Sequence, residues 1–178
     1  QIVLQGGDMY NENKLFAWTD SQGNKYNYGD MYTIPNNNTT LTAQWIAGNE
    51  VTVTNTLPTD STVEFQSMSP SRCLIRYDDN EVVRRNTNAI STFKKNYSLG
   101  THDTTIVSES DDLTNFDNAF DKGTTTKIDC SKVKATYLTS PMGNGFENIT
   151  DFVFPANLAN ISTSEGVLSG CKKLTNIA

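Results

Sequence analysis

His102 is the only histidine in the 178-residue chain, so any catalytic set with an imidazole base would have to include it. It stands between Thr101 and Asp103 in a segment that favours a strand. The sequence contains no G-x-S-x-G turn of the kind that presents a catalytic serine. We therefore expect His102 to be an ordinary surface or half-buried residue without a catalytic role, and we expect the chain not to be an enzyme.

Paired carboxylates are the next groups to consider, because glycoside hydrolysis uses two of them. Neighbouring residues on a strand point to opposite faces, so an Asp-Asp pair is no preformed acid–base couple. We expect these groups to be solvated turn residues, and we expect no metal and no other cofactor. Calcium at the loop oxygens remains the alternative, although no EF-hand spacing is present. The acidic segments are Asp78 with Asp79 and Asn80, Glu109 with Asp111 and Asp112, and Asp117 with Asp121.

The three cysteines, Cys73, Cys130 and Cys171, lie far apart in the sequence. An odd number cannot all pair within one chain, and no C-x-x-C spacing indicates zinc binding or redox chemistry. We expect buried free thiols that behave as small apolar residues. A disulfide between Cys130 and Cys171 remains the alternative.

The charge balance argues against nucleic acid as a partner. The net charge is −6 and the isoelectric point is about 4.7. Basic residues occur in pairs, Arg84 with Arg85 and Lys94 with Lys95, rather than in the stripe that phosphate binding requires. No run of apolar residues is long enough to span a bilayer, so we expect no direct membrane insertion of this segment.

The composition favours a mainly β fold. The chain contains 24 threonines, which suit strands, and 20 asparagines, which suit tight turns. No segment combines a sustained helical period with caps at both ends. The elements that position any functional residue are therefore expected to be short strands joined by turns.

Residues 1–47 read as a meander of short strands at Lys14–Thr19, Lys25–Tyr28, Met31–Ile34 and Thr40–Ile46. The closing stretch Thr-Leu-Thr-Ala-Gln-Trp at positions 40–45, together with the preceding aromatic and glycine positions, resembles the Listeria–Bacteroides repeat. That family is the B-repeat of internalin-type surface proteins. The resemblance implies a small β-grasp-like module over residues 1–47.

Residues 50–110 contain about six short strands at intervals of roughly ten residues, the spacing of a β-sandwich. The segment Leu74–Asn80 followed by Asn96–Ile106 resembles the turn and hairpin of PKD-type immunoglobulin-like domains. The resemblance implies an Ig/PKD-like sandwich in which Tyr77 and Tyr97 lie in the core or at its rim.

Residues 111–178 repeat an apolar-Thr-polar-apolar frame at intervals of 24 and 25 residues, within the range of leucine-rich repeats. The stretch Leu168–Thr175 resembles the BspA-type leucine-rich repeats of Bacteroides and related surface proteins. The resemblance implies a short solenoid in which the strands at Ile128 and Phe152 are adjacent and parallel. The frame occurs at Leu113–Phe116, Thr125–Ile128, with a polar first position, Ile149–Phe152 and Leu174–Ile177.

The three resemblances together imply a secreted or cell-surface bacterial adhesion or interaction protein, with a host or matrix protein or a glycan as its partner. A non-catalytic accessory region of a secreted carbohydrate-active enzyme and a structural stalk remain the alternatives. A solenoid binds through the solvent side of its parallel strands, because neighbouring repeats hold that surface rigid. The predicted binding residues are Thr114, Thr126, Lys127, Thr150, Asp151, Thr175 and Asn176.

Overall fold

The computed structural model of the chain describes residues 1–4, 14–27, 29–36, 38–66, 73–85, 90–108, 119–138, 145–161 and 168–178. Within these ranges the chain forms sixteen strands and no helix, which confirms the prediction of a mainly β protein. None of the ranges contains a helix long and apolar enough to cross a membrane.

The amino-terminal part contains β1 (Ile2–Val3), β2 (Lys14–Thr19), β3 (Lys25–Asn27), β4 (Met31–Tyr32) and β5 (Thr42–Ala47). Strand β2 is central in an antiparallel sheet of order β3-β2-β5, and β1 pairs with β4 in a second small sheet. The turn between β2 and β3 requires Gly23, whose φ of 85° is in the left-handed region. The bounds predicted for β2 are confirmed.

The middle of the chain contains β6 (Asn49–Leu57), β7 (Ser61–Gln66), β8 (Cys73–Tyr77), β9 (Val82–Arg85), β10 (Thr92–Tyr97) and β11 (Gly100–Ser108). Strands β7 and β10 form an antiparallel two-stranded sheet. The other four strands are antiparallel neighbours in the order β6-β11-β8-β9.

The carboxyl-terminal part contains β12 (Thr125–Lys132), β13 (Tyr137–Leu138), β14 (Asp151–Val153), β15 (Asn160–Ile161) and β16 (Asn176–Ile177). Strands β12 and β14 are parallel, with Ile128 opposite Phe152, which confirms the pairing that the repeat predicted. Strand β16 continues the series in parallel to β14. Strands β13 and β15 form a separate parallel pair.

The largest sheet has seven strands in the order β16-β14-β12-β6-β11-β8-β9. Strand β12 joins the parallel strands to the antiparallel ones, because it pairs antiparallel with β6 on its other side. A register shift between Thr125 and Lys127 accompanies that pairing. The sheet is therefore continuous across position 110, where the sequence analysis placed a module boundary.

One face of this sheet, here called the inner face, packs on β7 and β10 in a single apolar core. Along β6 the buried positions alternate with more exposed ones, so that Val51 and Val53 point inward. Phe152 of β14 belongs to the same core and is 0% exposed. Tyr77 and Tyr97 are buried in it, as the sequence predicted, and their rings meet edge-to-face. The opposite side of the sheet is the outer face.

Candidate functional site

Six of the seven predicted binding residues are described, and the structure brings them together at one end of the parallel strands. Lys127, Asp151 and Asn176 are directly opposite one another in β12, β14 and β16. The residue before each of them is a threonine, at 126, 150 and 175. We call these six residues the repeat face. Thr114 lies outside the described residues.

The threonines of the repeat face form a row that is tied to the backbone. The Thr150 hydroxyl donates to the carbonyl oxygen of Thr126 at 3.1 Å, and the Thr175 hydroxyl donates to that of Thr150 at 3.3 Å. Thr126 in turn donates to the carbonyl oxygen of Thr54 at 3.3 Å. Because a hydroxyl has one proton, these contacts leave its lone pairs as the groups offered to a ligand.

The second row, Lys127, Asp151 and Asn176, is charged and polar. The Asn176 side-chain amide donates to Asp151 Oδ1 at 2.9 Å, and the Thr150 hydroxyl lies 2.6 Å from Asp151 Oδ2. The hydrogen bonds from Thr150 and Asn176 lower the pKa of the Asp151 carboxyl, so this group is ionised at neutral pH. Lys127 is partly exposed, with its Nζ 3.9 Å from Asp129.

The threonine row continues onto the antiparallel strands, which the sequence analysis missed. Thr56 of β6 lies 3.2 Å from Thr126 and 3.3 Å from Thr101 of β11, measured between hydroxyl oxygens. The row thus contains three threonines within neighbouring strands, Thr101, Thr56 and Thr126, and two that directly precede β14 and β16, Thr150 and Thr175. Thr56 and Thr126 are 70 positions apart, so no local pattern in the sequence indicates that they meet.

Lys127 also lines a shallow depression of about 170 Å³ on the outer face. Two contacts order its walls: Lys132 pairs with Glu50 at 2.7 Å, and the Thr54 hydroxyl donates to Asp103 at 2.6 Å. Three carboxylates and two lysines line the depression, so its character is polar and slightly acidic. The lining residues are Glu50, Thr52, Thr54, Asp103, Lys127, Asp129, Ser131 and Lys132.

The acidic residues that the structure describes form hydrogen bonds and ion pairs with other groups of the protein. Asp78 bonds to His102, Asp79 pairs with Lys95, and Asp121 accepts the backbone N–H groups of Gly123 and Thr124. Across the described ranges, no group of three or more His, Cys, Asp or Glu side chains is arranged to hold a metal ion. The candidates at positions 109, 111, 112 and 117 lie outside those ranges.

His102 sits in a clamp in which both ring nitrogens face acceptors. Its Nδ1 is 2.6 Å from Asp78 Oδ2 and its Nε2 is 2.9 Å from the carbonyl oxygen of Ser98, while the ring stacks on Tyr97. Only the imidazolium form donates to both. Burial lowers the pKa of His102, but the hydrogen bonds to Asp78 and Ser98 outweigh it, and the net pKa is raised. The contacts to Asp78 and to the Ser98 carbonyl hold the His102 ring in place.

None of the three described cysteines forms a disulfide, so the alternative of a Cys130–Cys171 bridge is not realised. Cys73 and Cys130 are buried, as expected, and Cys171 is partly buried. Burial raises the pKa of the Cys130 and Cys171 thiols. The thiols are therefore protonated at neutral pH and act as apolar groups.

No protein-family model, curated protein or solved structure matches the chain. The family resemblances carried by its motifs therefore remain predictions. The chemistry of the described surfaces, above all the repeat face and the adjoining depression, is the basis on which a function can be proposed.

Proposed function

We propose that the chain is a secreted or cell-surface bacterial adhesion protein that binds a polar partner, a glycan or a host or matrix protein, through the repeat face. The observation that carries this proposal is the alignment of two polar rows across β12, β14 and β16. A regular row of polar groups on adjacent strands is a surface on which a repetitive ligand makes the same contact several times.

The rigidity of the repeat face supports this proposal. Thr126 and Thr175 each donate to a neighbouring backbone carbonyl. Thr150 shares its one proton between the Thr126 carbonyl and Asp151, and Asn176 holds Asp151 from the other side. Association is weakened by the ordering of loose side chains, so groups that are already fixed bind with less loss of entropy. A polar surface without aromatic anchors gains affinity in this way.

The hydrogen-bonding character of the face indicates what the partner must offer. The threonine hydroxyls already donate their protons to acceptors within the sheet. Asp151, Asp103 and Asp129 accept hydrogen bonds when ionised. The partner must therefore bring donors to these oxygens, while the Lys127 ammonium and the second amide proton of Asn176 require acceptors. Sugar hydroxyls and the side-chain amides of a polar protein surface fit this requirement, whereas phosphates and sulfates do not.

The proposal extends to the architecture of the parallel strands and of the middle of the chain. We infer that the parallel strands are units of a short leucine-rich-type solenoid. The partners Lys127 and Asp151 are 24 residues apart, Asp151 and Asn176 are 25 apart, and Tyr137 and Asn160 of the second parallel pair are 23 apart. Such near-constant offsets in two sets of strands are typical of stacked repeats. An Ig/PKD-like sandwich is supported by the packing of β7 and β10 on the large sheet.

A double substitution tests the proposed binding face. Asp151→Arg with Thr175→Arg reverses the charge and fills the row with long donors, and we expect it to abolish binding to the natural partner. The matched control is Glu64→Arg with Thr92→Arg, which changes an exposed carboxylate and an exposed threonine on the β7–β10 sheet. Both proteins are screened on a glycan array and against host and matrix proteins, with thermal melts alongside.

The outcomes separate the candidate functions. Binding that is lost in the first variant and retained in the control supports the repeat face. Binding that survives both variants rejects it as the site. A ligand confined to polysaccharides of the kind that secreted enzymes degrade favours the accessory-region alternative, and the absence of any ligand for the intact protein favours a structural stalk.

A further inference from the structure

A second polar concavity lies in the amino-terminal part, away from the repeat face in the sequence. Its volume is about 220 Å³, which is below the roughly 300–1,000 Å³ of pockets for drug-sized ligands. Its size suits a single small ring rather than an extended chain. The lining residues are Asp20, Ser21, Gln22, Asn24, Tyr26, Tyr32, Thr33, Pro35, Asn38 and Thr39.

Asp20 builds the rigid wall of this cavity. Its Oδ1 accepts the backbone N–H groups of Gln22 and Asn24, both at 2.9 Å, and its Oδ2 accepts the Asn24 amide at 2.9 Å and the Tyr26 hydroxyl at 3.1 Å. The Asn24 side chain is the largest influence that lowers the pKa of Asp20. A fixed negative charge with its lone pairs already engaged orders the wall and disfavours anionic ligands.

Two tyrosines supply the apolar element. The rings of Tyr26 and Tyr32 meet edge-to-face, with centroids 5.1 Å apart and an interplanar angle of 83°. Tyr32 is buried and Tyr26 is half-buried, so both rings are held in place. The exposed lining of the cavity is mainly polar, so these rings support its wall, and a ligand meets mostly hydrogen-bonding groups.

The polar atoms of the cavity that are available to a ligand include both hydrogen-bond donors and acceptors. The Asn24 amide protons point to Asp20 and, at 3.4 Å, to Gln22 Oε1, and Tyr26 gives its proton to Asp20. The Asn24 side-chain oxygen thus remains as an acceptor, whereas the Tyr26 oxygen is already in contact with the Asn24 side chain. The amide nitrogens of Gln22 and Asn38 supply donors. A ligand that matches both kinds needs groups that donate and accept, as hydroxyls do.

We infer that this cavity binds one neutral monosaccharide unit, free or at the end of a glycan. The inference concerns a different site from the repeat face and does not depend on the function proposed for that face. It assigns the amino-terminal part a recognition role of its own, in which the turn residues bond to the hydroxyls of the neutral ring.

Ligand-observed saturation-transfer NMR on the full chain tests this inference. The probes are glucose, galactose, mannose and N-acetylglucosamine, with glucuronate as the anionic comparator. We expect at least one neutral sugar to bind with a dissociation constant on the order of 1–10 mM, as is typical of small polar ligands, and glucuronate to bind more weakly. Shifts of the Tyr26 and Tyr32 ring protons report the location of the bound sugar.

Matched variants complete the test. Gln22→Ala with Asn38→Ala removes two exposed lining amides and should raise the dissociation constant about tenfold. Gln44→Ala with Asn157→Ala changes exposed amides that do not line the cavity and should leave it unchanged. The inference is overturned if no neutral sugar binds, if both double variants bind equally well, or if glucuronate binds as tightly as the neutral sugars. Unchanged sugar binding in the Asp151→Arg with Thr175→Arg variant keeps this site distinct from the repeat face.

Discussion

Asp151 and Phe152 are neighbours in β14, but they lie on opposite faces of the large sheet. Phe152 points into the apolar core, where its ring packs edge-to-face on Phe154 at 4.7 Å between centroids. Asp151 points to the outer face and bonds to Thr150 and Asn176. The inner face holds most of the buried apolar surface, which dominates the free energy of folding. Apart from the small buried cluster of Leu74 and Val107, the outer face carries mainly polar groups, and we expect their removal to change stability little, so they can serve binding.

The inner face should show the largest effect on stability. Phe152→Ala removes a fully buried ring, and we expect a loss of about 3–5 kcal/mol in the free energy of unfolding. Chemical denaturation followed by circular dichroism measures this loss. A decrease below about 1 kcal/mol would show that β14 does not share the core with the antiparallel strands.

The junction between β5 and β6 provides the next test, because a backbone there approaches the sheet closely. A Cβ atom added at Gly48 would lie 2.6 Å from the carbonyl oxygen of Ser108 and 2.6 Å from Val107 Cγ1. Gly48→Ala should therefore cost about 1–3 kcal/mol through overpacking. Gly123→Ala is the control, since its added Cβ would meet only Asp121 Oδ1, at 3.4 Å. Equal melting temperatures for the two variants would contradict the close approach.

The His102 clamp, which consists of the contacts of the ring near the start of β11, should make the free energy of unfolding depend on pH. The effect should be smaller than that of the core substitutions. The pKa of His102 is raised in the folded state, so its stabilising contribution is complete below the unfolded value of about 6.5 and is lost as pH rises through the folded pKa. His102→Gln stays neutral throughout. We therefore expect the gap in unfolding free energy between wild type and His102→Gln to shrink from about pH 5 to pH 8.

Chemical denaturation at several pH values measures this gap, and the variant corrects for all other titrating groups. A gap that is constant or that grows with pH would contradict the clamp. Binding to the partner of the repeat face should not change in His102→Gln, because Asp78, Ser98 and Tyr97 form a contact separate from that face.

Some local strands and the parallel pairing of β12 with β14 could be predicted from the sequence, because both depend on patterns along the chain. Strand β2 has the predicted bounds, and the offset of 24 residues correctly placed Ile128 beside Phe152. The antiparallel pairing of β12 with β6 was not predicted, since Thr125 and Asn55 meet across 70 residues without a shared motif. The extension of the threonine row was missed for the same reason. The amino-terminal cavity is lined by residues close in the sequence, between positions 20 and 39, but it depends on side-chain packing that no motif indicates.

The smallest expected effect comes from a pair of threonines that compares the two faces directly. Thr175 on the outer face donates to the carbonyl oxygen of Thr150, which also accepts the backbone N–H groups of Thr175 and Asn176. Thr175→Val leaves that carbonyl bonded, so the unfolding free energy should stay within about 0.5 kcal/mol of wild type. Thr125 is buried, and its hydroxyl accepts the Asn55 amide at 3.1 Å.

Thr125→Val leaves this Asn55 donor without its acceptor in the interior and should cost about 1–3 kcal/mol. The two variants should have the opposite order of effects on binding. Thr175→Val removes an acceptor of the repeat face and should weaken adhesion, whereas the folded fraction of Thr125→Val should bind as wild type does. Denaturation curves and the partner-binding assay on both variants give the two numbers needed. Two outcomes would contradict the division between a stabilising inner face and a binding outer face. In the first, Thr175→Val is as destabilising as Thr125→Val; in the second, Thr125→Val is the variant that weakens binding per folded molecule. In either case the effect of a hydroxyl would not depend on the side of the sheet that it occupies.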